Sequence, residues 1–175
     1  MLWRILTYRL GNEQSRNRVG VWRELRRVGA VALQSATWAI PEGDRFDEGL
    51  AKAVRLVERS DGHVLIFNVT PSEGSATELE RLYTDEREAE WTEFCSECDK
   101  ATAELRSEFA KEKFTLAELD EEEHNIDRLR RWYRELRAKD LFVAPSSGTG
   151  ELKLKACTEL LEDFAERIYR ERQRP

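Results

Sequence analysis

The chain has 175 residues and a net charge of −6, with 37% charged and 40% hydrophobic residues. The length suits one domain, or a small domain with an appendage. Its five Trp, seven Phe and four Tyr argue against disorder, because aromatic rings bury large areas. No apolar run approaches the ~20 residues of a membrane span, and three Cys do not make a disulfide framework. We therefore expect a cytoplasmic protein without membrane contact.

The charge is unevenly distributed. Residues 1–40 carry a net charge of +5, whereas residues 71–125 carry −12. Such asymmetry is typical of separate surfaces with separate partners, although the acidic segment is also compatible with a plain solvated helix face. The basic segment keeps nucleic-acid binding open in a chain that is acidic overall.

The pattern in the first part of the chain predicts strand, helix, strand, strand, helix, strand. The predicted elements are a strand at Leu2–Leu10, a helix from Ser15 to Val28 closed by Gly29, two strands or one bent strand within Ala30–Ile40 that end at Pro41, a helix from Asp44 or Asp47 to Ser60, and a strand at His63–Val69. This order is that of a ferredoxin-like βαββαβ sheet domain, assigned to residues 1–70, whose helices cover one sheet face. Because Leu2–Leu10 and His63–Val69 are apolar on both sides, we expect the other face to pack on the C-terminal helices or on a second subunit of a homodimer.

After the linker Pro71–Gly74 the hydrophobic period changes from two to about 3.6 residues, which predicts a helical extension over residues 75–175. Three helices are predicted: Ser75 or Thr77 to about Lys113, a capping box at Thr115–Glu118 to about Lys139, and Glu151–Arg172 after a flexible loop at Ala144–Gly150. The first carries a heptad stripe of Trp91, Cys95, Cys98, Thr102, Leu105 and Phe109, which predicts a seam against a partner helix. The fold class is therefore α+β, a sheet domain followed by a three-helix extension.

The Cys95-x-x-Cys98 motif could bind zinc or exchange disulfides. Only Cys157, His63 and His124 remain as further zinc ligands, at no recognisable spacing. A redox pair normally begins a helix, whereas this one lies on an apolar stripe within a helix. We expect small core residues, with no metal and no cofactor.

Catalytic motifs are missing from the sequence. His124 follows the acidic run Asp120–Glu123, but consecutive helix positions point in different directions, so we interpret this run as a solvated turn. No nucleophile elbow, Walker loop, dinucleotide fingerprint or zinc-protease motif is present, and Ser146–Gly150 lacks the ending of a phosphate loop. We expect a protein that is not an enzyme.

Arginines are concentrated in the first predicted helix. Arg16, Gly20, Arg23 and Arg27 are spaced 4-3-4, opposite an apolar stripe, and Arg18 and Arg26 flank them. A row of arginines with a glycine at its centre can approach a phosphate backbone closely, so these five arginines are the candidate DNA-binding residues. The alternative is an arginine ridge paired with the acidic segment of the same or another subunit.

A second basic cluster lies at Arg128–Arg134 (RLRRWYR). It is either a further basic surface or a helix whose Trp132 and Tyr133 pack inward while the arginines reach solvent.

Several segments together resemble a known family. They are Trp3–Tyr8, Arg18–Ala30 with the pattern V-W-R-x-L-R-x-x-G-A, Leu33–Pro41 with Q-x-A-x-W-x-x-P, and Leu129–Tyr133 with Arg137–Phe142. They resemble the N-terminal domain of ChrB, the chromate-resistance regulator, over most of the chain. The sheet segment is also similar to the ferredoxin-like middle domain of PaaX-type repressors. Both resemblances imply a regulator that binds DNA, and in the ChrB family one that releases DNA in response to chromate.

The sequence departs from these families in two ways. Longer ChrB proteins continue into a C-terminal domain where anion sensing is expected, whereas this sequence stops at Pro175, so chromate sensing is not carried over. A partner protein with that domain is then expected. Related CRISPR-associated nucleases have an Asp at the end of the first strand, but here the sequence reads Thr7-Tyr8-Arg9, which argues against nuclease chemistry.

The sequence thus predicts a dimeric DNA-binding regulator or accessory protein linked to chromate resistance. The alternatives are a non-catalytic protein-interaction or assembly module that uses the acidic helices, and an enzyme or oxyanion-binding protein that uses the arginines.

Overall fold

The computed structural model describes residues 1–11, 15–112 and 114–173. The chain forms two compact units, Met1–Glu86 and Arg87–Pro175. The described residues form a four-stranded antiparallel sheet and five α-helices, which confirms the predicted α+β class. Among these residues no helix is both long enough and apolar enough to cross a membrane.

The helices and strands follow the predicted order. They are β1 (Trp3–Arg9), α1 (Ser15–Val28), β2 (Val31–Gln34), β3 (Thr37–Pro41), a 3-10 turn (Asp44–Phe46), α2 (Asp47–Glu58), β4 (His63–Val69), α3 (Glu73–Ala110), α4 (Leu116–Lys139) and α5 (Ser147–Arg172). Gly29 follows α1 with a φ of 99°, a conformation that favours glycine and ends the helix where the sequence predicts. Ala30–Pro41 divides into two strands.

The strand order is β2-β3-β1-β4, with every neighbouring pair antiparallel. Leu6 of β1 lies opposite Trp38 of β3, and both are buried on the face where Arg4 pairs with Asp47 of α2. Helices α1 and α2 lie side by side, since a Cβ on Gly49 of α2 would lie 2.5 Å from Cγ2 of Val28. A glycine at that position permits their close approach.

The opposite sheet face is covered in part. Trp3 packs edge-to-face against Tyr83 of α3 with ring centroids 5.9 Å apart, and both side chains are fully buried. The prediction that β4 is buried on both faces is not met within one chain, because Leu65, Ile66 and Phe67 are 60%, 43% and 49% exposed. The physical reason is position: β4 is an edge strand that pairs with β1 alone.

Two helix starts differ from prediction. Neither Asp44 nor Asp47 caps α2, because Asp44 begins the 3-10 turn and Phe46 occupies the N-cap position without a side-chain bond. Helix α3 begins at Glu73 rather than at Ser75 or Thr77. The Thr77 hydroxyl donates to the Glu73 carbonyl at 3.1 Å, a bond made inside a helix rather than at its cap.

Helix ends also differ. Helix α2 ends at Glu58 rather than Ser60, and α3 ends at Ala110, before Glu112 adopts a positive φ of 53°. The end predicted at Lys113 lies outside the described residues.

The predicted flexible loop Ala144–Gly150 is wrong over its second half, because α5 begins at Ser147. The Ser146 N–H donates to the Glu88 carboxylate at 2.8 Å and anchors the start of the helix. Gly150 is buried against Trp91, where a Cβ would lie 2.8 Å from the indole ring. Small residues therefore serve packing here rather than flexibility.

The second unit has its own hydrophobic core. Its fully buried members include Trp91, Cys98 and Leu105 of α3, Ile126, Leu129 and Leu136 of α4, and Cys157, Phe164 and Ile168 of α5. The heptad stripe of α3 is thus confirmed as a seam. The capping box is confirmed too, because the Thr115 hydroxyl accepts the Glu118 N–H at 3.3 Å.

Candidate nucleic-acid interface

Helix α1 presents one apolar face to the protein and an arginine-rich face to solvent. Val21 and Leu25 are fully buried and Val28 is nearly so, which fixes the rotation of the helix. Residues three or four positions apart lie on one face of a helix. The opposite face, which carries the predicted arginine row, therefore points outward.

The row itself is exposed. Arg16, Arg23 and Arg27 are exposed, and they lie within about 40° of one another around the helix axis. Neither Arg16 nor Arg23 forms an ion pair with any residue that the structure describes. At the centre of the row, a Cβ on Gly20 would meet nothing within 4 Å. The gap left by this glycine is therefore open to solvent.

Arg27 is engaged within its own helix. Its Nε donates to the Glu24 carboxylate at 3.2 Å, and Lys52 of α2 lies 3.2 Å from the other Glu24 oxygen. The hydrogen bond from Arg27 is the main reason why the pKa of Glu24 is lowered. Glu24 is therefore held ionised between two cations and partly neutralises the end of the row.

Arg26 lies beside the row and has two partners. Its Nη2 lies 3.1 Å from Oε2 of Glu86 in α3, and its guanidinium lies over the Trp22 ring, 5.1 Å from the centroid. Glu86 belongs to the acidic segment of residues 71–125. This contact is of the kind that the alternative interpretation, an intramolecular arginine ridge, predicts.

Arg18 points away from the row. It follows Arg16 by two positions, and side chains two positions apart on a helix diverge by about 200°. Arg18 instead lines a cavity at the end of β1, together with Tyr8 and Arg9. The sequence reasoning missed Tyr8 and Arg9 as members of a site, although the departure at Thr7-Tyr8-Arg9 marked their position.

The second basic cluster is built around inward-facing rings. Trp132 packs edge-to-face on Phe94 at 5.4 Å, and Tyr133 packs on Trp91 at 5.6 Å. Arg130 pairs with Asp127 at 2.9 Å on the exposed side of α4. These contacts agree with the interpretation in which the rings pack and the arginines reach solvent.

The three cysteines are free and buried. The Cys157 thiol lies 3.2 Å from the Cys98 carbonyl oxygen, to which it donates, and 3.1 Å from Oγ1 of Thr102. The contact with Cys157 and burial raise the pKa of Cys98, and burial raises that of Cys95. Across the described ranges no three His, Cys, Asp or Glu side chains are grouped to hold a metal ion, and His124 is exposed.

The fold and this surface define an α+β protein with an exposed arginine-rich helix packed beside a small antiparallel sheet. The family model described as "Protein ChrB, N-terminal" matches residues 18–175. The chain therefore belongs to the ChrB N-terminal family, as the resemblance implied, and its family is that of a regulatory protein related to chromate resistance. A search of curated proteins gives no significant match.

Proposed function

We propose that the chain is a DNA-binding transcription regulator or regulatory accessory protein, with no catalytic activity, that contacts phosphates through Arg16, Arg23 and Arg27. Arg18 and Arg26 have supporting roles. The observation that carries the proposal is that Arg16 and Arg23 are exposed on one helix face, flank the open gap at Gly20, and lack ion pairs with described residues. Uncompensated guanidinium groups in a row suit an array of phosphates.

The proposal includes a ferredoxin-like interpretation of the sheet, with a three-helix extension, and a homodimer. The β2-β3-β1-β4 order and the βαββαβ sequence of elements support the first. The exposed apolar side chains of Leu65, Ile66 and Phe67 on an edge strand support the second, because such edges favour pairing with another chain. A two-fold dimer would present two copies of α1 to a duplex.

The test is fluorescence anisotropy with a labelled duplex from the region upstream of the gene, over a series of salt concentrations. Arg16→Gln combined with Arg23→Gln should weaken binding of all sequences by about tenfold and reduce the salt slope by about 2. The matched control is Arg170→Gln with Arg172→Gln, which removes the same charge from the end of α5. Absence of binding at low salt by the unmodified chain would refute the proposal.

A protein-interaction module is the second candidate, because Arg26 and Arg27 already have acidic partners. In that case the acidic helices bind the partner and the arginines hold the protein together. Capture of a purified partner that carries a ChrB-like C-terminal domain, without any DNA binding, would favour this candidate.

A further inference from the structure

A cavity of about 300 Å³ opens at the end of β1 in the first unit. Its described lining consists of Tyr8, Arg9, Leu10, Arg18, Ser35 and Ala36. Two of these six residues are cationic, two carry hydroxyl groups, and none is acidic. The composition of the lining alone indicates selection for an anion.

Three elements bring these residues together. The Tyr8 N–H donates to the Ala36 carbonyl at 3.0 Å, which holds the β2–β3 turn, with Ser35, beside the end of β1. Arg18 reaches the same place because it leaves α1 on the side away from the Arg16 and Arg23 row. The cavity and the row are therefore distinct surfaces of one helix.

The cations of the cavity are uncompensated. Arg9 and Arg18 are both exposed, and neither forms an ion pair with a residue in the described part of the chain. Each guanidinium offers five N–H donors in a planar fork, the arrangement that suits the oxygens of a phosphate or sulfate group. A chain with net charge −6 that leaves two adjacent arginines without a carboxylate keeps them available for an external anion.

The neutral donors complete the site. Tyr8 is only 8% exposed, and burial raises the pKa of its hydroxyl, against the opposing effects of the Trp38 side chain and the Arg18 charge. Tyr8 therefore remains a protonated donor at neutral pH. Nε1 of Trp38 is buried without a hydrogen-bond partner among the described residues, an unusual condition for an indole N–H next to a polar cavity.

We propose that this cavity binds one tetrahedral oxyanion group, held between Arg9 and Arg18 and oriented by the hydroxyls of Tyr8 and Ser35. The group is either a free inorganic oxyanion or a phosphate of the DNA backbone; the chemistry of recognition is the same. The proposal concerns Arg18 alone among the five arginines of α1, so it does not depend on the row that includes Arg16 and Arg23.

Isothermal titration calorimetry with sodium phosphate and with sodium sulfate tests the site, with chloride used to hold ionic strength constant. We expect saturable 1:1 binding below about 10 mM, weakened at least about tenfold by Arg18→Gln and by Arg9→Gln, and less by Tyr8→Phe. The matched control is Arg23→Gln, which removes the same charge from the same helix and should leave binding unchanged. Arg9→Gln keeps the test valid if Arg18→Gln does not fold, as judged by circular dichroism.

No saturable heat with either anion overturns the proposal, as does an equal loss in Arg23→Gln, which would show general charge attraction. A DNA titration then identifies the source of the group. If the occupant is a backbone phosphate, inorganic phosphate at saturation weakens DNA binding more than chloride at equal ionic strength; if it is a free anion, DNA affinity is the same in both salts. Phosphate binding by a chain that does not bind DNA would refute the proposed function and leave this site in place.

Discussion

The Arg26 guanidinium of α1 pairs with the Glu86 carboxylate of α3, with 3.1 Å between Nη2 and Oε2. The two side chains are 41% and 44% exposed, so the pair contributes about 0–1 kcal/mol to stability. A pair this weak can exchange one anionic partner for another. The acidic segment of the chain therefore competes with phosphate for one arginine of α1.

The first prediction concerns this competition. Glu86→Gln should raise DNA affinity about two- to fivefold at low salt and steepen the salt dependence by up to about 0.9, because Arg26 becomes available to a phosphate. Anisotropy titrations over a salt series provide the measurement. Glu93→Gln is the control, since Glu93 is an exposed residue of the same helix and its loss changes the net charge equally. Equal gains in both variants would show a charge effect without any role for Arg26.

Gly20 gives a second prediction, in which stability and binding change in opposite directions. Gly20→Ala should stabilise the first unit by about 0.5–1 kcal/mol, because alanine is the better helix former and its Cβ meets nothing within 4 Å. The same methyl group stands between the arginines of the row and a phosphate backbone, so DNA affinity should fall. Urea unfolding and anisotropy measure the two effects.

Gly74→Ala is the matched control for that variant. Gly74 lies in the first turn of α3, where an added Cβ also meets nothing within 4 Å. This control should gain stability without loss of DNA binding. Unchanged binding in Gly20→Ala would contradict the proposed close approach of α1 to DNA.

Much of the fold follows from local patterns. The heptad stripe from Trp91 to Phe109, the Thr115 capping box and Gly29 each predict a structure from residues near in sequence, and all three are confirmed. The errors arise where distant contacts override local signals. Ser147 to Gly150 read as a flexible loop, yet the Glu88 carboxylate anchors the preceding Ser146 and Trp91 packs against Gly150, so helix forms there.

The candidate site divides in the same way. The outward direction of Arg16 and Arg23 follows from helix periodicity, which the sequence contains. The partners of Arg26 and the neighbours of Arg18 do not follow from it, because Glu86 and Tyr8 are distant in sequence and only the folded chain brings them near. Spacing therefore identifies which face of α1 is basic, but it does not show which arginines are compensated.

The third prediction concerns thiol reactivity. Cys95 is 9% exposed, whereas Cys98 and Cys157 are 0% and 1% exposed, so modification requires the second unit to open. With Ellman's reagent, the folded chain should react at least about 100-fold more slowly than the chain in concentrated urea, where all three thiols become accessible. Added zinc should leave the melting temperature unchanged. Rapid reaction of a thiol pair in the folded chain, or stabilisation by zinc, would restore the redox or metal interpretation of Cys95 and Cys98.

The fourth prediction concerns pH and Glu122 of α4. Burial raises the pKa of this carboxyl, against the opposing effect of Asn125, and the nearby charges of Glu104, Glu121 and Glu108 raise it further. Its Oε2 atom is buried without a hydrogen-bond partner among the described residues. Since the folded state holds this proton more tightly than the unfolded state, stability is lost as the pH rises from the unfolded pKa through the folded one.

Glu122→Gln removes the buried charge and keeps the shape of the side chain. At pH 7 the variant should be more stable than the unmodified chain by about 1 kcal/mol, because an uncompensated buried group no longer has to ionise. Below the unfolded pKa the difference should vanish, since Glu122 is then neutral in both folded and unfolded chains. Urea unfolding followed by tryptophan fluorescence at the two pH values gives the comparison, with exposed Glu123→Gln as the control. A difference of the same size at both pH values would show that packing, rather than ionisation, distinguishes the variant.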